Sequence, residues 1–282
     1  METIRKVISI SHDGFGEMWY PFSMEFGDNL SVFNSDNYSE SRDLLGLIRL
    51  MFATNNHQPN QSSIFPMAPR TVCEIRFITD NNEYLLHKCI IGNYSSEITL
   101  HKVGTSIAFS GADAIRLLNG VGRPIVIVEG GIFDNKSQVF KPHDTNSMKT
   151  LANLASEWAH IIGISDKRIY VDYNGLWTTN DSKHSHGWHR SGTRISSPVR
   201  IIASLAQAVL RQRTIGNCPP IIASFNVNSL NGFECFTFID FMKKVCEDER
   251  LQLVITINWK SESPRNMLLD TINAPQLSVY DY

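Results

Sequence analysis

Three consecutive stretches decide the fold: Asn29-Leu-Ser-Val-Phe33, Asn34-Ser-Asp-Asn-Tyr-Ser-Glu-Ser41 and Leu44-Leu-Gly-Leu-Ile-Arg-Leu-Met-Phe-Ala53. The first reads as a β-strand and the second as a polar loop. The third places leucines, isoleucine and methionine at helical spacing. Strand, polar loop, helix is the arrangement in which backbone N–H groups at a helix start are offered to a ligand.

Ile4–Ser11 and Trp19–Phe26 read as two strands before this unit, separated by a turn with Gly14 and Gly16. After it, Thr54–Arg70 shifts to Asn, Gln, Ser and Pro and reads as a long exposed loop. Val72–Ile78 and Tyr84–Ile91 form a hairpin around Asp80-Asn-Asn82, and Ile98–Val103 and Ser106–Phe109 extend the meander. Asp113–Leu118 reads as a short helix and Pro124–Val128 as an apolar strand.

The second half alternates helices with apolar strands. Helices are expected over Ser147–Ile161, Pro198–Arg211 and Phe236–Cys246, and strands over Arg168–Tyr173, Pro220–Phe225 and Leu251–Ile257. The last two have almost no polar residue, as in strands buried on both faces. The expected class is α/β, a β-rich N-terminal lobe (1–133) and an α/β lobe (147–282) in which helices cover a buried sheet. A polar connection, 134–146, joins the two into a single domain, 1–282.

Composition narrows the function. The chain has 282 residues, 42% hydrophobic and 19% charged, with a net charge of −2. No global field draws it to nucleic acid, so any such contact is expected to be local or made through a partner. The five cysteines show no C-x-x-C pair and read as reduced and structural. No stretch reaches the roughly 18 unbroken apolar residues of a membrane span, and the N-terminus lacks the apolar core of a signal peptide. A cytoplasmic protein is expected.

Ile10-Ser-His-Asp-Gly-Phe-Gly16, Phe26-Gly-Asp-Asn-Leu-Ser-Val-Phe33 and the Leu44–Ala53 helix together resemble the start of a head domain of the YhaN, SbcC, RecF and SMC type of ABC ATPase. Val72-Cys-Glu-Ile-Arg-Phe77 resembles the strand after the head's first loop. In the second half Ser191-Gly-Thr193 stands where such heads carry the ABC signature, Pro219–Phe225 where they carry the Walker B strand, and Leu251–Trp259 where a strand ends in the switch histidine. The resemblance covers most of the chain, with the coiled coil reduced to the short connection. It implies an ABC-head fold, DNA repair, maintenance or defence as the setting, and an active head or nuclease subunit as partner. Self-pairing is a further arrangement that it implies.

The chemistry expected of such a head is missing. A P-loop needs glycines to wrap backbone N–H groups around phosphates, a lysine for the β and γ oxygens, and a hydroxyl for magnesium. Asn34–Ser41 has neither glycine nor lysine, Glu40 best aligns with the lysine, and Asn37, Ser41 and Arg42 complete the degenerate loop. Walker B chemistry needs carboxylates at the end of a buried strand. Here the strand ends Ala223-Ser224-Phe225-Asn-Val-Asn228, with Ser224 in the degenerate site, no carboxylate occurs from Pro219 through Gly232, and Asn231 stands at the D-loop aspartate. The switch histidine falls near Trp259 or Lys260. The signature-like Ser191, Gly192, Thr193 and Arg194 keep a hydroxyl and a cation that can meet an anion, set against a plain polar turn that caps the following helix.

The resulting expectation is a non-catalytic pseudo-ATPase head, with no cofactor, acting as a binding or regulatory subunit. Two enzymatic alternatives remain: a weak ATPase with atypical motifs, and a metal-dependent hydrolase built on His184, His186 and His189, which would need a carboxylate such as Asp172 or Asp181 beside them. No fixed first shell is readable around those histidines, so no metal site is assigned. Ser11-His12-Asp13 is not a triad, because neighbours on a strand point to opposite faces.

Overall fold

A computed structural model describes residues 2–15, 21–34, 38–53, 70–91, 94–122, 124–127, 145–163, 169–171, 177–179, 197–215, 220–225, 232–257 and 277–281. The first half supplies β1 (Glu2–His12), β2 (Phe22–Glu25), β3 (Leu30–Asn34), α1 (Tyr38–Phe52), β4 (Arg70–Thr79), β5 (Glu83–Ile91), β6 (Tyr94–Lys102), β7 (Ala108–Ser110), α2 (Gly111–Asn119), β8 (Val121–Gly122) and β9 (Ile125–Ile127). The second half supplies α3 (Thr145–Ile161), β10 (Ile169–Val171), β11 (Trp177–Thr179), α4 (Ser197–Ile215), β12 (Ile221–Phe225), α5 (Gly232–Glu249), β13 (Leu253–Ile257) and β14 (Leu277–Asp281).

These strands form two main sheets. One is mainly antiparallel, in the order β2-β1-β4-β5-β6-β7, with β8 pairing parallel to the start of β1. The other is parallel, in the order β14-β3-β13-β12-β9. β10 and β11 make a separate antiparallel pair. Two strands of the parallel sheet, β3 and β9, come from the first 133 residues, so the sheets do not divide as the two halves of the chain do.

Period-two alternation in the parallel sheet sends successive residues into different cores. Leu30, Val32, Ile221, Ala223, Leu253 and Ile255 pack with helices α3, α4 and α5. Phe33, Ile222 and Val254 pack with α1 and the inner face of the antiparallel sheet. Both faces are therefore covered, which explains the near absence of polar residues in β12 and β13. In β1 the inward residues Ile4, Val7 and Ile10 are spaced by three instead of two, because register shifts lie between Ile4 and Lys6 and between Val7 and Ser9.

Helix α1 lies between the sheets, with Leu44, Leu45, Leu47, Ile48, Met51 and Phe52 all buried. It starts at Tyr38 and not near Leu44, which corrects the sequence expectation of a polar loop through Ser41. Only the residues that pack show an apolar signature; a polar first turn needs no such contact to be helical. At its far end, the fully buried Lys88 of β5 donates from Nζ to the carbonyls of Leu50 and Ala53 at 2.8 and 2.7 Å. A cation thus meets the negative end of the helix dipole, and on Leu50 O it adds to the bond from Ala53 N–H at 3.2 Å.

The β4–β5 hairpin follows expectation, closed by Thr79 N–H donating to Asn82 O at 2.7 Å. Asp80 in its turn accepts from Thr3 N–H at 2.8 Å and from Arg5, which fastens the start of β1 and holds the Asp80 carboxyl below the usual range.

Candidate functional site

All five strands of the second sheet run parallel, so their carboxyl ends share one edge. Register places Asp281, Asn34, Ile257 and Phe225 side by side along it. The chain leaves β3 at Asn34, enters α1 at Tyr38, reaches the outer strand β9, returns inward through β12 and β13, and steps over β3 to β14. The β3–α1 connection is therefore bordered on both sides by strands whose own connections lead elsewhere. Such a switch point leaves a crevice outside the carboxyl ends, where open α/β sheets bind ligands.

The floor beside this connection is aromatic. Phe33, the residue before Asn34, is fully buried and meets Phe22 edge-on at 5.9 Å between centroids. Phe22 stacks on His12 at 5.3 Å, and Phe15 lies 6.4 Å from the same imidazole. His12 Nδ1 accepts a hydrogen bond from Gly14 N–H at 3.1 Å, which assigns the proton of the neutral ring to Nε2. Nε2 is buried and has no hydrogen-bond partner among the described residues. Burial lowers the His12 pKa to about 4, with Asp13 pulling weakly the other way. The ring is thus neutral near pH 7. His12 and Ser11 do lie on different faces: His12 is buried in this cluster, whereas Ser11 is partly exposed opposite Glu74.

Glu40, Ser41 and Arg42 belong to the opening turns of α1, directly after the β3 edge, and their side chains lie outside the described residues. Ser224 is the fourth residue of β12, in register with Thr256 of β13 and through it with Phe33 of β3. Two strand spacings separate it from β3, about 10 Å. The fold thus brings the Ser224 position and the β3–α1 connection to one edge. Asn37, Asn231, Ser191, Gly192, Thr193, Arg194, His184, His186, His189, Asp172, Asp181, Trp259 and Lys260 lie outside the described residues. Among the described residues no group of three histidine, cysteine or acidic side chains is placed to hold a metal ion, and no helix is long and apolar enough to cross a membrane.

The sequence reading missed His12 as a group at the site and missed β14 altogether. Phe15 and Phe22 around His12 were the available signal for the first; the second has none, because a short strand ending Val279-Tyr280-Asp281 carries no pattern of its own.

No protein-family model matches the chain, and no curated protein does. Solved structures do. The SMC head domain from Thermotoga maritima superposes with a TM-score of 0.50 at 12% identity, over 90% of this chain and 89% of that one. The recombination mediator protein RecF of the RecFOR pathway superposes as RecF-ATPrS with a TM-score of 0.52 at 12% identity, over 93% and 94% of the two chains. RecF-ATP gives 0.51 at 13% identity, over 92% and 94%. Two sheets clasping a central helix, the switch point at the β3 edge and these superpositions agree: the chain has the head fold of the SMC/RecF-type ABC ATPases.

Proposed function

We propose that this protein is a non-catalytic ABC-type head, a pseudo-ATPase that acts as a binding or regulatory subunit of a protein assembly. One observation carries the reading: the segment at the switch point, Asn34–Ser41, which runs from the end of β3 into the opening turn of α1, has no glycine and no lysine. Without glycine the backbone lacks the conformational freedom to fold its N–H groups around a phosphate. Without lysine no ammonium meets the β and γ oxygens, and Glu40 adds a carboxylate that repels a phosphate by about 1 kcal/mol at 4 Å in water. The absence of any carboxylate from Pro219 to Gly232, where β12 ends, points the same way, because magnesium and the attacking water then have no ligand and no base from that strand.

The partner we propose is an active ATPase head or a nuclease subunit in a cytoplasmic DNA repair, maintenance or defence assembly; a second copy of the chain is the alternative. In the first case Ser191–Arg194 would complete the partner's nucleotide site. The likeness to a recombination mediator supports that setting.

Calorimetric titration with ATP and magnesium, alone and after zinc, tests the reading, with thermal melting followed in parallel. No heat and no rise in melting temperature with ATP are expected. A ligand bound only by the folded state adds about 2.7 kcal/mol at a hundred times its dissociation constant. Micromolar ATP binding with a corresponding rise in melting temperature would overturn the proposal, and Ser41, Arg42 and Ser191 would become the residues to substitute. Zinc binding would transfer the search to His184, His186 and His189.

A further inference from the structure

At the amino edge of the parallel sheet, opposite the switch point, one side chain spans the two sheets. Gln252 precedes β13 and is buried, 3% exposed. Its Oε1 accepts from Val7 N–H at 2.8 Å, and its Nε2 donates to Val7 O and to Gly27 O, both at 2.8 Å. Val7 belongs to β1 and stands at one of its register shifts, while Gly27 lies in the link from β2 to β3. Phe26 N–H donates to Ile8 O at 2.7 Å, a backbone bond just past the paired residues of β2 that holds it to β1. Beyond it, the Gln252 amide takes both backbone groups of Val7, as the next residue of a neighbouring strand would do.

The Gln252 backbone is fixed as well. Its carbonyl accepts from Ile221 N–H at 2.9 Å, and the next residue, Leu253, donates to Asn29 O at 2.7 Å. The amide is therefore anchored in β12, β13 and the start of β3 while its side chain is spent on β1. The sheets also share an apolar core through Phe33, Ile222, Val254 and α1. Such contacts are non-directional and tolerate sliding, whereas three short hydrogen bonds to one buried amide do not.

Resting on the non-catalytic reading above, we infer that Gln252 is a pin that locks the antiparallel sheet to the parallel sheet, so that the head docks as one rigid body. A head that turns over no nucleotide has no step for which the two sheets must shift. The pin lies at the edge away from the degenerate loop and depends on none of its residues.

Hydrogen exchange on the full chain without nucleotide tests this. Gln252→Leu keeps the bulk and removes all three bonds. It should cut the protection of the Val7 and Leu253 amides by roughly ten- to a hundredfold, the effect of orphaning buried polar groups, and change the Leu86 amide in mid-β5 much less. Equal loss at all three positions would reduce Gln252 to a contributor to global stability and overturn the pin. Gln252→Glu gives a second readout if the leucine variant does not fold. A carboxylate accepts from Val7 N–H but has no proton for Val7 O or Gly27 O; a protonated carboxyl donates again to one of them. The protection of Val7 relative to Leu86 should thus recover on acidification from pH 7.5 to 4.5 in Gln252→Glu, measured against the wild-type ratio at each pH. A ratio that does not depend on pH in this way overturns the inference. Since no nucleotide is present, ATP binding found elsewhere would remove the docking role and leave the measured pin intact.

Discussion

His12 is a neutral imidazole because burial against Phe15 and Phe22, with no acceptor for Nε2 among the described residues, outweighs the attraction of Asp13 for a cation. The consequence is a stability that depends on pH. The folded pKa of about 4 lies below the ordinary 6.5, so between those values the unfolded chain binds a proton that the folded chain refuses. Stability from this group is fully present above pH 6.5 and is lost as pH falls toward 4; the integrated loss is of order 3 kcal/mol. Urea midpoints of the wild type should therefore fall between pH 6.5 and 4.5 more steeply than those of His12→Phe, which keeps the aromatic cluster and has nothing to protonate. Parallel pH curves for the two proteins would show that the ring reaches an acceptor or water in solution.

At the scale of elements, ends are set by backbone conformation and middles by packing. Helix α3 stops because Gly163 takes φ +76°, donating to His160 O at 3.0 Å while Ile162 N–H still reaches Trp158 O at 3.1 Å. A Cβ on Gly163 would meet nothing within 4 Å, so substitution there tests the backbone alone. Gly163→Ala should cost about 1 kcal/mol in chemical denaturation and Gly163→Asn less, since asparagine tolerates the left-handed region better. The same division explains what the sequence disclosed. Helix α4 and the β4–β5 hairpin were legible because the apolar stripe around Ile202, Leu205, Ala206 and Val209 and the Asp80-Asn-Asn82 turn are local signals. The polar start of α1 at Tyr38 was not, because it carries no apolar periodicity, and neither were the bulges of β1 and the placing of β14 beside β3, which are fixed by contacts distant in sequence. Of the site, the glycine-free connection and its place after a strand could be read directly. Its neighbours along the sheet edge, Ile257 and Asp281, required the strand order, which no single strand encodes.

For the molecule as a whole, charge decides whether the fold itself can hold nucleic acid. The 26 basic and 28 acidic residues nearly cancel, and many of the described cations are already matched. On the antiparallel sheet Arg5 pairs with Asp80, Lys6 with Asp28, Arg76 with Glu83, and Arg70 with Glu97 at 3.9 Å. Elsewhere Arg116 pairs with Asp113, Arg213 with Glu249, and Lys244 with Asp240. Each exposed pair adds little stability, but each also places a carboxylate where a phosphate would have to approach. A surface that neutralises six to ten phosphates loses roughly 10³- to 10⁵-fold in affinity between 50 and 200 mM salt. Fluorescence anisotropy with a 30-base-pair duplex should show no such behaviour: the isolated protein is expected to bind weakly at 50 mM salt, with a dependence on salt equivalent to no more than about two phosphate contacts. A steep dependence, abolished by substituting cations among Arg190–Arg200, would place a nucleic-acid surface at the start of α4 and make contact with DNA direct. A shallow one leaves any DNA contact to be made through the proposed partner, and pull-down of that partner should then be insensitive to nuclease treatment.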